Sequence, residues 1–257
     1  MEVSASTEDA LGNLDGLGIA DRIAVGEVSA AEAISAAIER LQAVEPRLNA
    51  VVIDRFEAAL AEAGALSAGQ RTALFTGVPS LIKDNTNLAG LPTRHGSKST
   101  PGAPATADDE FTRHFRASGL IPIAKTALPE FGLTATTESS YRLPTRNPWN
   151  TAYSSGGSSG GSAALVAAGV VPLAHANDGG GSIRIPAACC GVVGLKPSRG
   201  RLPTVGYAHK LPVNLLAEGV VSRSVADTAA FYREMEQHYT GCPLPPIGQV
   251  RGPDSKR

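Results

Sequence analysis

The sequence has few cysteines, and they are not placed for a disulfide framework. Its 257 residues include three of them, Cys189, Cys190 and Cys242, and the first two are adjacent. Small secreted domains that depend on disulfides carry more cysteines, so the chain is predicted to fold in a reducing compartment, by default the cytoplasm. The acidic N-terminal stretch also lacks the basic segment and the apolar segment that together make up a secretory signal.

Long hydrophobic runs and an excess of charge of one sign are missing as well. The longest apolar run, residues 163–173, has 11 residues and is too short to cross a bilayer, so no membrane partner is expected. Lys and Arg number 23 against 24 Asp and Glu, which leaves a formal net charge of −1 and no basic field to hold a nucleic acid. With 42% hydrophobic and 18% charged residues, the composition is that of a globular protein.

Helical signals dominate the N-terminal part of the chain. Ser29 and Glu32 form a capping box, which predicts a helix through the following apolar residues until Pro46. A second capping box, Ser224 with Asp227, predicts a helix that continues to about residue 237.

Short apolar runs alternate with helical stretches in the middle of the chain. The strand candidates are residues 50–53, 78–82, 120–124 and 170–174, and further helices are predicted over residues 55–68, 108–118 and 162–168. This alternation favours an α/β fold with a mixed β-sheet flanked by helices. We therefore divide the chain into a helical N-terminal segment (1–70), an α/β core (71–240) and a Pro-rich linker or frayed tail (241–257).

Two glycine clusters lie within this core. The first, residues 154–162, is by composition alone typical of a flexible Gly/Ser linker, but it leads straight into an apolar helix. It lacks the Lys-Ser/Thr pair of a phosphate-binding P-loop. The second cluster precedes Ser182, and its backbone N–H groups are placed to form an oxyanion hole for a serine nucleophile.

A serine nucleophile needs a base, and the sequence offers no obvious histidine for that role. None of the five histidines is singled out by its spacing, and neither the H-E-x-x-H nor the C-x-x-C zinc pattern occurs, so no metal is expected. Lys83 ends an apolar run, where burial would make it neutral and basic. A surface lysine paired with Asp84 is an equally good interpretation of this segment.

Four segments together resemble the amidase signature family of serine amidohydrolases. They are G-V-P-S-L-I-K-D-N at 77–85, A-K-T-A-L-P-E-F-G at 124–132, R-N-P-W-N-T at 146–151, and the long block from Gly156 to Pro197. The resemblance covers most of residues 20–235, and the long block is its most specific part.

Matched residue by residue, the resemblance implies a Lys–Ser–Ser triad. Lys83 is then the base, Ser158 the bridging serine that follows a cis peptide bond, and Ser182 the nucleophile. The remaining implied site residues are the oxyanion-hole N–H groups of Gly179, Gly180, Gly181 and Ser182, and the supporting residues Asp178, Arg184 and Ser159.

The activity that this resemblance implies is hydrolysis of a carboxylic amide to an acid and ammonia or an amine, through a seryl acyl-enzyme. It implies a small-molecule amide as substrate, no metal and no cofactor, and it leaves a homo-oligomer open. One alternative is the A-type subunit of a glutamine-dependent tRNA amidotransferase, which would need partner subunits. Because members of the family are considerably longer, we expect the N-terminal portion of a longer amidase, weakly active or inactive alone. An inactive fragment that only binds partners or ligands is the third alternative.

Overall fold

Two three-stranded sheets form the centre of the protein. The computed structural model describes residues 2–67, 69, 71–140, 142–206 and 212–247. The first sheet contains β1 (Val51–Asp54), β2 (Pro79–Lys83) and β3 (Ile121–Thr126). β3 lies in the middle, antiparallel to β1 and parallel to β2.

The second sheet is antiparallel and meets the first along one pair of strands. It contains β4 (Leu173–Asp178), β5 (Val193–Gly194) and β6 (Ala217–Ser222), with β6 in the middle. β2 lies beside β4, and Ser80 Oγ donates a 2.8 Å hydrogen bond to the carbonyl of Leu173. Every residue of β2, β3, β4 and β6 is buried, so these strands form the interior of the molecule.

Helices cover these strands. They are α1 (Gly16–Ala24), α2 (Ala30–Leu48), α3 (Phe56–Gly64), α4 (Glu110–Ala117), α5 (Gly160–Ala167), α6 (Arg184–Cys190) and α7 (Val225–His238). α5 packs on β4 and β6, whereas α7 packs on β6 and α4. The predicted α/β fold with its helical N-terminal segment is confirmed. In the described part of the chain, no helix is both long and apolar enough to cross a membrane.

The division of the chain into 1–70, 71–240 and 241–257 stays a prediction. Most of the predicted Pro-rich tail, residues 248–257, lies outside the described residues.

The capping box at Ser29 begins α2 as predicted, but the helix ends later than expected. Ser29 Oγ accepts from the N–H of Glu32, and the Glu32 carboxylate accepts from the N–H of Ser29. The helix continues through Pro46 because this residue lies in the last turn, where a missing N–H removes only one intrahelical bond. The helix ends at Leu48. The next residue, Asn49, still donates its N–H to the carbonyl of Glu45, and its left-handed backbone (φ 53°) turns the chain out of the helix.

The second predicted capping box forms only in one direction. Ser224 Oγ accepts from the N–H of Asp227, which begins α7 at the predicted place. The Asp227 carboxylate instead accepts the N–H groups of Gly16 and Leu17 at 2.8 and 3.0 Å. Asp227 therefore caps α1, which is more than 200 residues away in sequence, and ties the two ends of the fold together.

Candidate active site

Lys83 is the last residue of β2 and is completely buried. Its Nζ lies 2.7 Å from Ser158 Oγ and 2.7 Å from Asn177 Oδ1. Burial lowers the pKa of Lys83 to about 7, even though the negative charges of Glu218 and Asp178 act to raise it. A large fraction of this side chain is therefore neutral near pH 7 and able to accept a proton.

The surface-lysine interpretation of this segment is wrong. Asp84 pairs with Lys125 instead, at 2.7 Å, and both side chains are fully buried. Lys125 Nζ also donates to the carbonyl of Pro92 and to Thr93 Oγ1, both at 2.8 Å. The two lysines thus have different surroundings: Lys125 is ion-paired, whereas Lys83 Nζ is bonded to a hydroxyl and an amide oxygen.

Ser158 lies in the tight loop that leads into α5. The Gly157–Ser158 peptide bond is cis, as the resemblance implies. Residues 155–162 are all buried, so the flexible-linker interpretation of this cluster is also wrong. A Cβ at Gly157 would run into the backbone of Thr136, which explains why glycine is needed at this close approach.

Ser159 joins this loop to the second glycine cluster. Its N–H donates to the carbonyl of Ser182 at 3.2 Å, and its Oγ donates to the carbonyl of Asn177 at 3.3 Å. Ser159 is buried and its hydroxyl is engaged in this way. The structure therefore brings the Ser158 and Ser182 segments together through a backbone contact.

The buried carboxylate of Asp178 organises the loop that carries Ser182. It accepts from the N–H groups of Gly181 and Ile183, at 2.6 and 3.1 Å, and from Nε and Nη2 of Arg184, at 2.9 and 3.0 Å. Burial acts to raise the pKa of Asp178, but these hydrogen bonds and the Arg184 charge hold it below its ordinary value. Gly181 has φ +124°, a conformation that favours glycine.

The backbone N–H groups of this loop are not equivalent. That of Gly181 is engaged by Asp178, whereas those of Gly179, Gly180 and Ser182 donate to no residue that the structure describes. Three of the four predicted oxyanion-hole N–H groups are thus available to a ligand.

An open cleft of about 780 Å³ lies over these groups. Ser158 and Ser182 both line it, and no hydrogen bond joins their hydroxyls among the described residues. The rest of its lining is largely apolar and includes Phe131, Leu133, Ile185, Leu215 and Leu216.

The described lining contains one residue with a titratable side chain, His95, whose pKa is lowered mainly by burial. Among the residues that the structure describes, no group of His, Cys, Asp and Glu side chains is arranged to hold a metal ion. The polar groups of the described lining are thus hydroxyls, amides, backbone N–H groups and the His95 imidazole.

The sequence of this chain matches a known protein family. A model of the Amidase family matches residues 32–246. The chain belongs to the amidase family.

Relatives of this amidase-family chain are found over almost its whole length. The protein AmiC of Mycobacterium tuberculosis is 52% identical over 255 residues, which are 99% of this chain and 54% of AmiC. The 6-aminohexanoate-cyclic-dimer hydrolase of Paenarthrobacter ureafaciens is 42% identical over 86% of this chain and 45% of its own length. The chain thus spans about half the length of the curated relatives that it matches.

Solved structures agree with this assignment. A 6-aminohexanoate cyclic dimer hydrolase complexed with substrate superposes with a TM-score of 0.79 at 39% identity, covering 93% of this chain and 50% of that one. A fatty acid amide hydrolase superposes with a TM-score of 0.88 at 25% identity, covering 96% of this chain and 46% of that one. These matches show the same α/β fold as other amidase-family enzymes.

The amide side chains around Lys83 were not predicted from the sequence. Asn177 and Asn85 exchange two hydrogen bonds of 3.2 Å, each amide donating to the other, and both line the cleft. Asn177 Oδ1 thereby accepts from both Lys83 Nζ and Asn85 Nδ2. Polar residues at alternate positions of the buried strand β4, His175 and Asn177, are the signal that could have revealed this network.

Proposed function

We propose that this chain carries the catalytic groups of an amide hydrolase in which Ser182 is the nucleophile. The observation that carries the proposal is the 2.7 Å contact between Lys83, whose pKa lies at about 7, and Ser158 Oγ, which lines the same cleft as Ser182. A buried lysine that is largely neutral at physiological pH is a rare feature, and it suits a general base.

The proton route follows from these contacts. Ser182 Oγ attacks the carbonyl carbon of the amide and gives its proton to Ser158 Oγ, while Ser158 gives its own proton to neutral Lys83 Nζ. This step needs contact between the two hydroxyls, which both line the cleft. The hydroxyl of Ser158 takes the place that an imidazole holds in serine hydrolases with a histidine base.

The oxyanion that forms on the amide carbonyl needs donors at fixed positions. The unengaged N–H groups of Gly179, Gly180 and Ser182 would supply them, held in place by the Asp178 carboxylate and Arg184. The amine then leaves with a proton returned from Lys83 through Ser158, and an acyl ester remains on Ser182. Water, deprotonated by the same route, releases the acid and restores the serine.

The lining of the cleft points to the kind of amide. Its apolar side chains and its lack of formally charged groups in the described lining favour an uncharged small molecule with an apolar part next to the carbonyl.

None of the relatives described above is a tRNA amidotransferase subunit, and that alternative stays a prediction. The cytoplasmic location also stays a prediction, as does a homo-oligomer.

Release of ammonia or amine from a panel of uncharged amides tests the proposed function. Any amine that the wild-type chain releases should be lost in Ser182→Ala, which should release none above background, and kept in Ser198→Ala, which should match the wild type. Ser198 is an exposed serine outside the cleft, so it serves as a matched control. Hydrolysis by Ser182→Ala at the wild-type rate would contradict the proposal, as would a wild-type chain that neither hydrolyses an amide nor forms a covalent adduct on Ser182 with a sulfonyl fluoride.

A further inference from the structure

A buried histidine–glutamate pair lies directly behind Lys83, and the proton route above does not use it. His175 Nδ1 accepts the backbone N–H of Lys83 at 3.2 Å, and His175 Nε2 lies 2.9 Å from Glu218 Oε2. Both side chains are completely buried. The imidazole also packs against the ring of Phe111, with 4.5 Å between the ring centroids.

The hydrogen bonds define the protonation of the ring. Because Nδ1 of His175 accepts from an N–H, the ring proton is on Nε2 and is donated to Glu218. Burial lowers the pKa of His175, and the nearby Glu218 carboxylate only partly opposes this, so the ring is neutral. A neutral ring that donates to Glu218 fits an ionised carboxylate as its acceptor.

The strand register brings this carboxylate to the catalytic side of the sheet. Glu218 on β6 pairs directly with Asn177 on β4, and directly opposed residues point to the same face. His175, two residues before Asn177, shares that face. Glu218 Oε1 has no hydrogen-bond partner among the described residues, so its charge is only partly compensated.

Burying an ionised carboxylate costs free energy, and a nearby group that carries a positive charge offsets part of that cost. We propose that His175 and Glu218 form a positioning pair for Lys83, in which His175 fixes the main chain at Lys83 and Glu218 supplies the buried negative charge that keeps its amine easy to protonate. The inference rests on the proposed role of Lys83 as the base. Without that charge, the amine would be a weaker base towards the proton of Ser158.

Other charged and titratable groups around the pair have separate partners. Asp178 also acts on Lys83, but its carboxylate is compensated by Arg184. Tyr232 on α7 lies near Glu218, and its hydroxyl donates to the carbonyl of Leu195, while burial keeps its pKa above the ordinary value. Asp109, at the start of α4, also acts on His175 and favours its charged form.

Direct titration of the Lys83 side chain tests this inference without requiring activity. In protein labelled with [13C]lysine, the Cε resonance of Lys83 is the one that disappears in Lys83→Met. The pH at the midpoint of the titration of this resonance should fall from about 7 in the wild type to about 6 in Glu218→Gln. This shift is a tenfold change in the ratio of neutral to charged amine. Glutamine keeps the size of the side chain and an oxygen acceptor for His175 Nε2, so only the charge is removed.

Two further variants separate charge from packing. Glu218→Asp keeps the charge and should leave the Lys83 midpoint close to the wild-type value. Glu234→Gln removes the carboxylate of another His–Glu contact, the one between Glu234 and His238 on α7. This variant should leave the Lys83 midpoint unchanged. An unshifted midpoint in Glu218→Gln, or an equal shift in Glu234→Gln, would overturn the inference.

A measurement on the wild-type protein covers the case in which Glu218→Gln does not fold. The side-chain carbonyl 13C resonance of Glu218, assigned by its loss in Glu218→Asp, should report an ionised carboxylate throughout the pH range in which Lys83 titrates. A protonated Glu218 in that range would overturn the inference. A lowered midpoint in Glu218→Gln, in a protein that neither hydrolyses an amide nor forms an adduct on Ser182 with a sulfonyl fluoride, would refute the proposed function and leave this inference standing.

Discussion

Replacing Lys83 by methionine should change how the stability of the fold depends on pH. In the folded chain the pKa of Lys83 is about 7, whereas an unfolded lysine has its ordinary value of 10.5. Between these two values the unfolded chain binds more protons than the folded chain, so this residue makes the wild type more stable as the pH rises. Methionine fills a similar volume in the same buried position and carries no proton.

The expected size follows from the two pKa values. Keeping Lys83 in its folded environment costs about 4 kcal/mol at pH 7 and about 1 kcal/mol at pH 9.5. The methionine variant escapes this cost but leaves Ser158 Oγ and Asn177 Oδ1 without their amine partner, at about 1–3 kcal/mol for each group. That second effect does not depend on pH. The stability of the wild type relative to Lys83→Met should therefore increase by about 3 kcal/mol from pH 7 to pH 9.5.

Urea unfolding of both proteins at pH 7 and pH 9.5 measures this difference, because all other titrating groups are common to both. The comparison needs a single cooperative unfolding transition at each pH, and the unfolding free energies of the two proteins must depend similarly on urea concentration. A change in the relative stability of less than about 1 kcal/mol would show that the pKa of Lys83 is close to that of an ordinary lysine. In that case Lys83 would be protonated at pH 7 and would not be a neutral base.

Further predictions concern reactivity, the nucleophile loop and the N-terminal helices. The rate at which a sulfonyl fluoride modifies Ser182 should rise about tenfold between pH 6 and pH 8 and then level off, whereas a base with an ordinary lysine pKa would give a rise that continues past pH 9. Asp178→Asn should slow the modification of Ser182 by tenfold or more, because it removes the charge that binds Arg184 and the Gly181 N–H. It should also lower the free energy of unfolding, measured with urea, by about 1–3 kcal/mol. Ser29→Ala should lower the free energy of unfolding by about 1 kcal/mol, because it removes the cap of α2. It should leave the rate of Ser182 modification unchanged, and a changed rate would show that this cap affects the site.

The sequence was sufficient to predict β2, which ends at the proposed base Lys83, and its neighbour β3. β2 and β3 each begin one residue after the predicted start, because apolar runs bounded by Gly and Pro are strong strand signals. By contrast, β4 begins three residues later than predicted, since Val170 and Val171 pack in the turn after α5 instead of joining the ladder. β6 was not predicted, because Glu218 and Gly219 interrupt its apolar pattern.

The network behind the site depends on contacts between distant parts of the chain, which local patterns do not reveal. Glu218 was not recognised because its partner His175 is 43 residues away, and their meeting depends on the antiparallel register of β4 and β6. In the same way, Asp227 was expected to serve its own helix but caps α1. The assignments of Lys83, Ser158 and Ser182 came from the family resemblance rather than from spacing alone.

Mapping the site of covalent modification tests the central claim most directly. Trypsin cleavage after Arg146 and Arg184 yields the peptide 147–184, which contains both Ser158 and Ser182, so fragmentation is needed to locate an adduct. After treatment with a sulfonyl fluoride or an organophosphonate near pH 8, the account predicts one adduct, on Ser182, that is absent from Ser182→Ala and strongly reduced in Lys83→Met. An adduct on a different serine, or equal modification of Lys83→Met, would contradict it.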